Sequence, residues 1–326
     1  MNNHDYEGFD KTGTRQAPLI DYHVHPGYSL DAAHRSIRDY CRRALELGLK
    51  EICFTTHLEN EPDHFHTNNE VRLHGRRVPS YQLHWLEEYF KEIERARDNF
   101  TGDGLIVKAG IEIGYSSHLE EFIERVLTGF PFDFVLGAIH SVQGTSISNL
   151  KDCPEYFRLC TLEDLREDYF GTLENAVKSG FFDCLAHVDL YRRYGYDFYG
   201  EDIYTIHRGF IEPIFEEAAR RRTGLEINTS TARRGIEEFH PTREILQLAV
   251  EAGIEIFTVG SDAHSLDELG DHVSEAISLL EEMGQQVYGF SRRQPYTLLP
   301  PGLSESEDKK QEAKHKRLES RKNIKS

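Results

Sequence analysis

The feature that most restricts the fold is an alternation that repeats seven times between about residues 18 and 299. Short apolar runs at 19–24, 51–55, 105–113, 132–139, 181–188, 224–228 and 255–260 are each followed by a stretch of helical character. The runs are brief and rich in Val, Ile and Phe, as strands buried on both faces of a parallel sheet should be. The stretches between them carry helix signals. In SIRDYCRRALELG, Ile37, Tyr40, Cys41, Ala44 and Leu45 fall on one face, and Gly48 stands where a C-cap is wanted. HPTREILQLAVEAG repeats the scheme, with Pro241 suited to the first helical turn and Gly253 to the cap, and SLDELGDHVSEAISLLEEMG repeats it again. Seven such units predict an α/β fold, a distorted seven-stranded (β/α) barrel filling residues 18–300 as one domain. An open doubly wound sheet is the alternative, but no GxGxxG or GxxxxGKS/T follows any of the strands, so its nucleotide-binding versions lose support. A polar segment, 1–17, and a charged tail, 301–326, flank the expected domain.

Charge narrows the partners. The formal net charge is −18, which argues against a broad nucleic-acid face, although residues 308–326 carry eight Lys and Arg against three Asp and Glu. An acidic body can still take an anion where bound cations set the local field. No apolar run reaches the roughly 18 residues that a membrane span needs. The N-terminus has no apolar stretch of the secretory kind. The five cysteines, Cys41, Cys53, Cys153, Cys160 and Cys184, form no CxxC pair, so buried free thiols in a reducing cytoplasm are expected. Two long connections, 58–80 and 141–160, are expected to be functional or mobile.

The placement of histidines and acids is more informative still. The runs end in Asp21-Tyr-His23-Val-His25, Thr55-Thr-His57, Gly110-Ile-Glu112, Ile139-His140-Ser141, His187-Val-Asp189, Glu226-Ile-Asn228-Thr-Ser230 and Gly260-Ser-Asp262-Ala-His264. In a barrel the C-terminal ends of the strands form one rim, where active sites of this architecture lie. Residues i and i+2 of a strand share a face, so His23 and His25 can chelate one ion together, as can Asp262 and His264 if that strand end stays extended. Imidazole combined with carboxylate suits Zn, Mn or Fe(II), and the absence of cysteine disfavours a closed structural zinc site. A lone histidine at a strand end is more often a hydrogen-bonded rim residue than a ligand. Six histidines and two acids converging on one rim are a metal site.

In this order, the motifs HxH, TTH, GIE, IHS, HxD and SDAH resemble those of the PHP (polymerase and histidinol phosphatase) family, over about residues 18–285. The resemblance implies a distorted seven-stranded barrel with a trinuclear centre, holding two or three divalent transition ions (Zn, Mn or Fe). Carried over position by position, it implies that His23, His25, Glu112 and Asp262 hold the first ion. Glu112 would bridge to a second held by His140 and His187. His57, His264 and Asp31 would hold a third. Glu112, Asp262 and His264 form the implied catalytic set. Within the family, GIEIGY, FFDCLAHVDLYRRYG and LEINTSTARRG are similar to the histidinol-phosphate phosphatase branch, which often has an aromatic element where this chain reads Ser-Val-Gln-Gly-Thr-Ser-Ile-Ser after His140.

Arg192 or Arg193, and Arg233, are candidates to clamp a phosphate, because the guanidinium fork matches phosphate oxygens. Asp189 and Ser230 are candidates to orient neighbouring groups. The expected activity is metal-assisted hydrolysis of a phosphoric monoester, with L-histidinol phosphate as the best single substrate, and the expected partner is a small phosphorylated metabolite. No membrane partner is expected and the oligomeric state is left open. Two rivals stand beside this reading. One is a phosphoesterase acting on a nucleotide, oligonucleotide or other metabolite phosphate. The other is a non-catalytic regulatory module. No GxSxG motif supports a covalent serine mechanism.

Overall fold

The computed structural model describes residues 17–61, 69–236 and 238–298. The chain divides into two compact units, Leu19–Thr297 and Met1–Pro18 with Leu298–Ser326. Only residues 17, 18 and 298 of the second are described. Apart from Ala17, the flanking segments 1–17 and 301–326 lie outside the described residues, as do residues 62–68 of the first long connection.

The unit Leu19–Thr297 holds the strand–helix repeat. Its strands are β1 (Ile20–Val24), β2 (Glu51–Phe54), β3 (Ile106–Gly114), β4 (Phe134–Ala138), β5 (Cys184–Leu185), β6 (Gly224–Asn228) and β7 (Phe257–Gly260). They pair in parallel in chain order. The connecting helices are α1 (Ile37–Leu47), α2 (His84–Phe100), α3 (Glu120–Gly129), α4 (Leu162–Ser179), α5 (Ile211–Arg221) and α6 (Arg243–Glu251), and α7 (Val273–Glu282) follows β7. A two-residue strand, His57–Leu58, runs on beyond β2 and pairs with β3, setting His57 opposite Glu112.

The sheet is nearly closed, with one seam between β1 and β7. At the rim end the seam is joined by a parallel bridge between Val24 and Ala263, with His25 N–H donating to Ala263 O at 2.8 Å and Ala263 N–H to His23 O at 3.2 Å. The buried Asp21 fastens it from the side, accepting the Ser261 N–H at 2.9 Å, the Ser261 hydroxyl at 2.5 Å and the Gly270 N–H at 2.9 Å. Gly260 is required at this joint: a Cβ there would lie 2.3 Å from the His23 Cβ and 2.6 Å from Glu226 Oε1. The hairpin Tyr288–Ser291 with Gln294–Thr297 follows α7, and Phe290 packs against Tyr22 and Phe134, with ring centroids 6.4 and 4.9 Å away.

Local chemistry explains the starts of two of the helices. The Ser36 side chain and Asp39 form a capping box at the start of α1, and Gly48 ends it in the left-handed conformation at φ 79°. Thr161 and Asp164 cap α4 in the same way. Two expectations need correction. Pro241 precedes the N-cap Thr242 of α6 and so does not occupy its first turn. The run 181–188 yields only the two residues of β5, because His187 turns to φ 26° and leaves the extended conformation. The two long connections carry short regular elements: Glu70–Leu73 and Arg76–Pro79 form a hairpin, Ser141–Val142 and Thr145–Ser146 form another, and Cys153–Phe157 is a short helix. All five cysteines are free, and only Cys160 is not fully buried. No helix among the described residues is long and apolar enough to cross a membrane.

Candidate metal centre

The strand ends bring the expected ligands together around one carboxylate. Glu112, near the end of β3, is wholly buried. Its Oε2 lies 3.3 Å from His23 Nε2, 3.5 Å from His25 Nε2 and 2.8 Å from His57 Nδ1. Its Oε1 lies 3.1 Å from His187 Nε2 and 3.3 Å from His140 Nε2. Each oxygen thus faces a different group of imidazoles. Asp262 Oδ1 closes the first group, 3.2 Å from His25 Nε2 and 3.6 Å from His23 Nε2. Asp31 Oδ2 stands 3.5 Å from both His57 Nε2 and His264 Nε2. All nine residues named from the sequence meet at this rim.

Asp262 and His264 meet by a route other than strand alternation. β7 ends at Gly260, and Asp262 adopts φ 55°. A left-handed conformation at a residue other than glycine is uncommon and marks a site where the surroundings hold strain in place. His187, at φ 26°, is a second case in the same cluster.

A second layer orients the first. His23 Nδ1 is 2.6 Å from Glu226 Oε1, His140 Nδ1 is 2.5 Å from Glu59 Oε1, and His25 Nδ1 is 3.3 Å from the Ser29 hydroxyl. In each case Nδ1 is occupied and Nε2 is turned to the cluster, as in metal-ligating histidines whose other nitrogen bonds a carboxylate or hydroxyl. Sequence reading missed Glu59 and left Glu226 unassigned. A signal existed for both: Glu59 stands two residues after His57, and Glu226 two before Asn228 at a strand end. Glu59 also needs Gly114, where a Cβ would come within 2.0 Å of Glu59 Oε2.

The residues fit a cation. Nε2 of His23 and of His25, Nδ1 of His57 and Oε2 of Glu112 are buried and make no hydrogen bond. Such atoms cost about 1–3 kcal/mol each when unsatisfied, and coordination to an ion satisfies them. The electrostatics agree. Burial disfavours a charged carboxylate, yet the imidazoles of His23, His57 and His140 hold Glu112 well below the usual carboxylate range. Burial likewise opposes a charged imidazole, yet Glu226, Glu112 and Asp262 hold His23 well above its ordinary value, and Glu59 and Glu112 raise His140 to about 9. His25 is the exception, pushed down by burial and by its neighbours His57 and His264. A pocket that draws protons onto buried imidazoles is one whose field suits divalent cations.

The arginine candidates separate by placement. Arg193 lines a cavity of about 330 Å³ together with Asp31, His57, His140, His187 and Asp262. Its Nη2 donates to the Ser230 hydroxyl at 3.2 Å and lies 3.8 Å from Asp262 Oδ2, while its buried Nε has no partner. Arg192 is committed elsewhere: its Nη2 is 2.6 Å from Asp189 Oδ2, and Asp189 also accepts from the Thr242 N–H and lies 2.5 Å from His240 Nδ1. That buried clamp ties the helix Arg192–Tyr199 to the start of α6, and Asp189 orients no ligand of the cluster in it. Arg233 donates to Ser261 O at 2.8 Å and Asp262 O at 3.1 Å, so its fork holds the backbone at the candidate ligand Asp262. Arg233→Ala is therefore expected to weaken metal binding by about 10–100-fold through Asp262. At saturating metal, KM for the phosphorylated substrate should barely change. Chelator competition together with steady-state kinetics checks this, and an unchanged metal affinity with a raised KM would return Arg233 to the phosphate.

Comparisons with known proteins agree with this picture. The PHP domain model matches residues 21–230. A probable histidinol-phosphatase of Deinococcus radiodurans is 29% identical over 275 residues, covering 84% of this chain and 97% of the relative. The histidinol-phosphatase of Lactococcus lactis is 25% identical, covering 81% of this chain and 91% of the relative. Among solved structures, histidinol phosphate phosphatase from Lactococcus lactis, complexed with zinc, L-histidinol and phosphate, superposes with a TM-score of 0.70 at 24% identity, covering 85% of this chain and 98% of that one. With the family model spanning most of the barrel and its motif residues gathered at one rim, the chain belongs to the PHP domain family.

Proposed function

We propose that this protein is a metal-dependent phosphoric monoester hydrolase that converts L-histidinol phosphate and water to L-histidinol and phosphate, a step of histidine biosynthesis. The observation that carries the reading is the single buried carboxylate of Glu112, with one oxygen facing His23 and His25 and the other facing His140 and His187. The names of the relatives supply the substrate.

On this reading the centre holds two or three divalent transition ions. His23, His25, Glu112 and Asp262 hold one, Glu112, His140 and His187 a second, and Asp31, His57 and His264 a third. Bound there, such ions supply Lewis acidity to the phosphoryl oxygens and make water a nucleophile near neutral pH. The chain's own contribution is placement. Arg193, steadied by Ser230, offers its fork to the non-bridging phosphate oxygens. Ser148, Asn149, Leu150 and Tyr194 wall the cavity where the organic half of the substrate would lie. The wall comes from the connection between β4 and α4 and from the helix Arg192–Tyr199.

The test is phosphate release across a panel of metabolite phosphates, run with Zn, Mn and Fe(II). L-histidinol phosphate should be turned over with the highest kcat/KM. Release of nucleotides from oligomers with L-histidinol phosphate left intact would replace this reading with a nucleolytic one.

A further inference from the structure

The connection from β1 to α1, residues 26–35, has almost no regular structure, yet it touches three of the ligand histidines. The Ser29 hydroxyl accepts the His57 N–H at 3.2 Å and lies 3.3 Å from His25 Nδ1. Ala33 N–H donates to His264 O at 2.6 Å. Asp31, in the same loop, faces His57 and His264. A loop of this kind has carbonyl groups that no helix or sheet satisfies, and buried carbonyls need donors.

One side chain supplies them. Arg72, on the hairpin strand Glu70–Leu73, directs Nη1 to Gly27 O at 2.7 Å, to Ser29 O at 3.2 Å and to Ala32 O at 3.4 Å. Its Nη2 donates to Leu30 O at 3.1 Å. The backbone adds to this, with Arg72 N–H on Tyr28 O at 2.7 Å and a bridge from Val71 to Ser29. Leu30 and Ala32, the neighbours of Asp31 on either side, are both held by the one guanidinium. A lysine has a single donor nitrogen and could not hold Leu30 O, which only Nη2 reaches, together with the three carbonyls on Nη1, so the neighbours of Asp31 would no longer be fastened on both sides.

We propose that Arg72 is a positioning residue for the metal centre: by fastening the carbonyls around it, Arg72 fixes Asp31 and so the ion that Asp31 shares with His57 and His264. This rests on the ligand assignment made under the proposed function. It gives the inserted hairpin a role in building the site from outside the barrel.

The test measures bound zinc per chain in the full-length holoenzyme after equilibration in zinc-buffered solution. Asp31→Ala should lose about one ion, and Arg72→Ala should lose the same one. Arg72→Lys, the milder change, should bind it about 10–100-fold more weakly, the usual effect of removing a group that orients a ligand. Added guanidinium should restore the ion to Arg72→Ala and not to Asp31→Ala. An Arg72→Lys protein that keeps the ion at wild-type affinity, or an Arg72→Ala protein that guanidinium does not restore, overturns the proposal. If Asp31→Ala itself keeps every ion, the ligand assignment beneath the proposal fails.

Discussion

Glu112→Gln is expected to abolish turnover and to lower the bound metal, with the fold retained. The substitution keeps size and shape but replaces one of two anionic oxygens with an amide nitrogen that only donates. In the native chain those oxygens face two imidazole groups, so either orientation of the amide turns a donor toward one of them. The loss should be about 10³-fold or more in kcat, corresponding to about 4 kcal/mol of transition-state stabilisation. Phosphate-release kinetics and elemental analysis of the purified variant report the two effects separately. Full metal content with an unimpaired rate would show that Glu112 does not join the two groups.

The second large effect is expected at Arg193. Arg193→Ala should lower kcat/KM by about 10²–10³-fold, the usual loss when a preorganised donor to developing negative charge is removed. The metal content should persist, since Arg193 approaches the cluster only through Asp262 Oδ2, at 3.8 Å. Arg193→Lys should recover little, because an ammonium group cannot form the paired contacts of a guanidinium fork. Inhibition by inorganic phosphate gives an independent reading, and a Ki equal to that of the wild type would place the phosphate elsewhere in the cavity.

The barrel was legible in the sequence because parallel strands buried on both faces leave a strong signal, a short run of branched and aromatic residues, and all seven runs became strands. The ligands were legible for a related reason. Once the strands are parallel, their C-terminal ends share a rim, and the positions of His23 and Glu112 follow from chain direction, whereas Asp262 also needs the left-handed turn after β7. What stayed hidden depends on partners distant in sequence or on backbone conformation. Arg192 and Arg193 are adjacent at the start of one helix, and only the position of Asp189 decides which of them turns to the cavity. Arg233 is a phosphate-clamp candidate from sequence alone, where nothing shows that it donates to carbonyls 28 and 29 residues further on. The hairpin around His74 and Gly75 leaves little trace in the sequence. Its turn places both residues at positive φ, 50° and 76°, but His-Gly lacks the familiar Asn-Gly signature. Arg72 was the least accessible of all, because its acceptors are backbone atoms 40 to 45 residues away.

The seam described between the first and last strands has a consequence for folding. Asp21 and Ser261 are joined across a separation of 240 residues, and His23 and Asp262, proposed ligands of one ion, lie 239 residues apart in the chain. Bringing together chain segments so far apart carries an entropic cost that grows with the logarithm of the loop, whatever the link. On the proposed ligand assignment, an ion shared by His23, His25 and Asp262 would cross-link the two ends of the sheet, comparable in effect to a long-range disulfide. Coordination would then hold the seam closed, and chelation should loosen the first and last strands ahead of the middle ones.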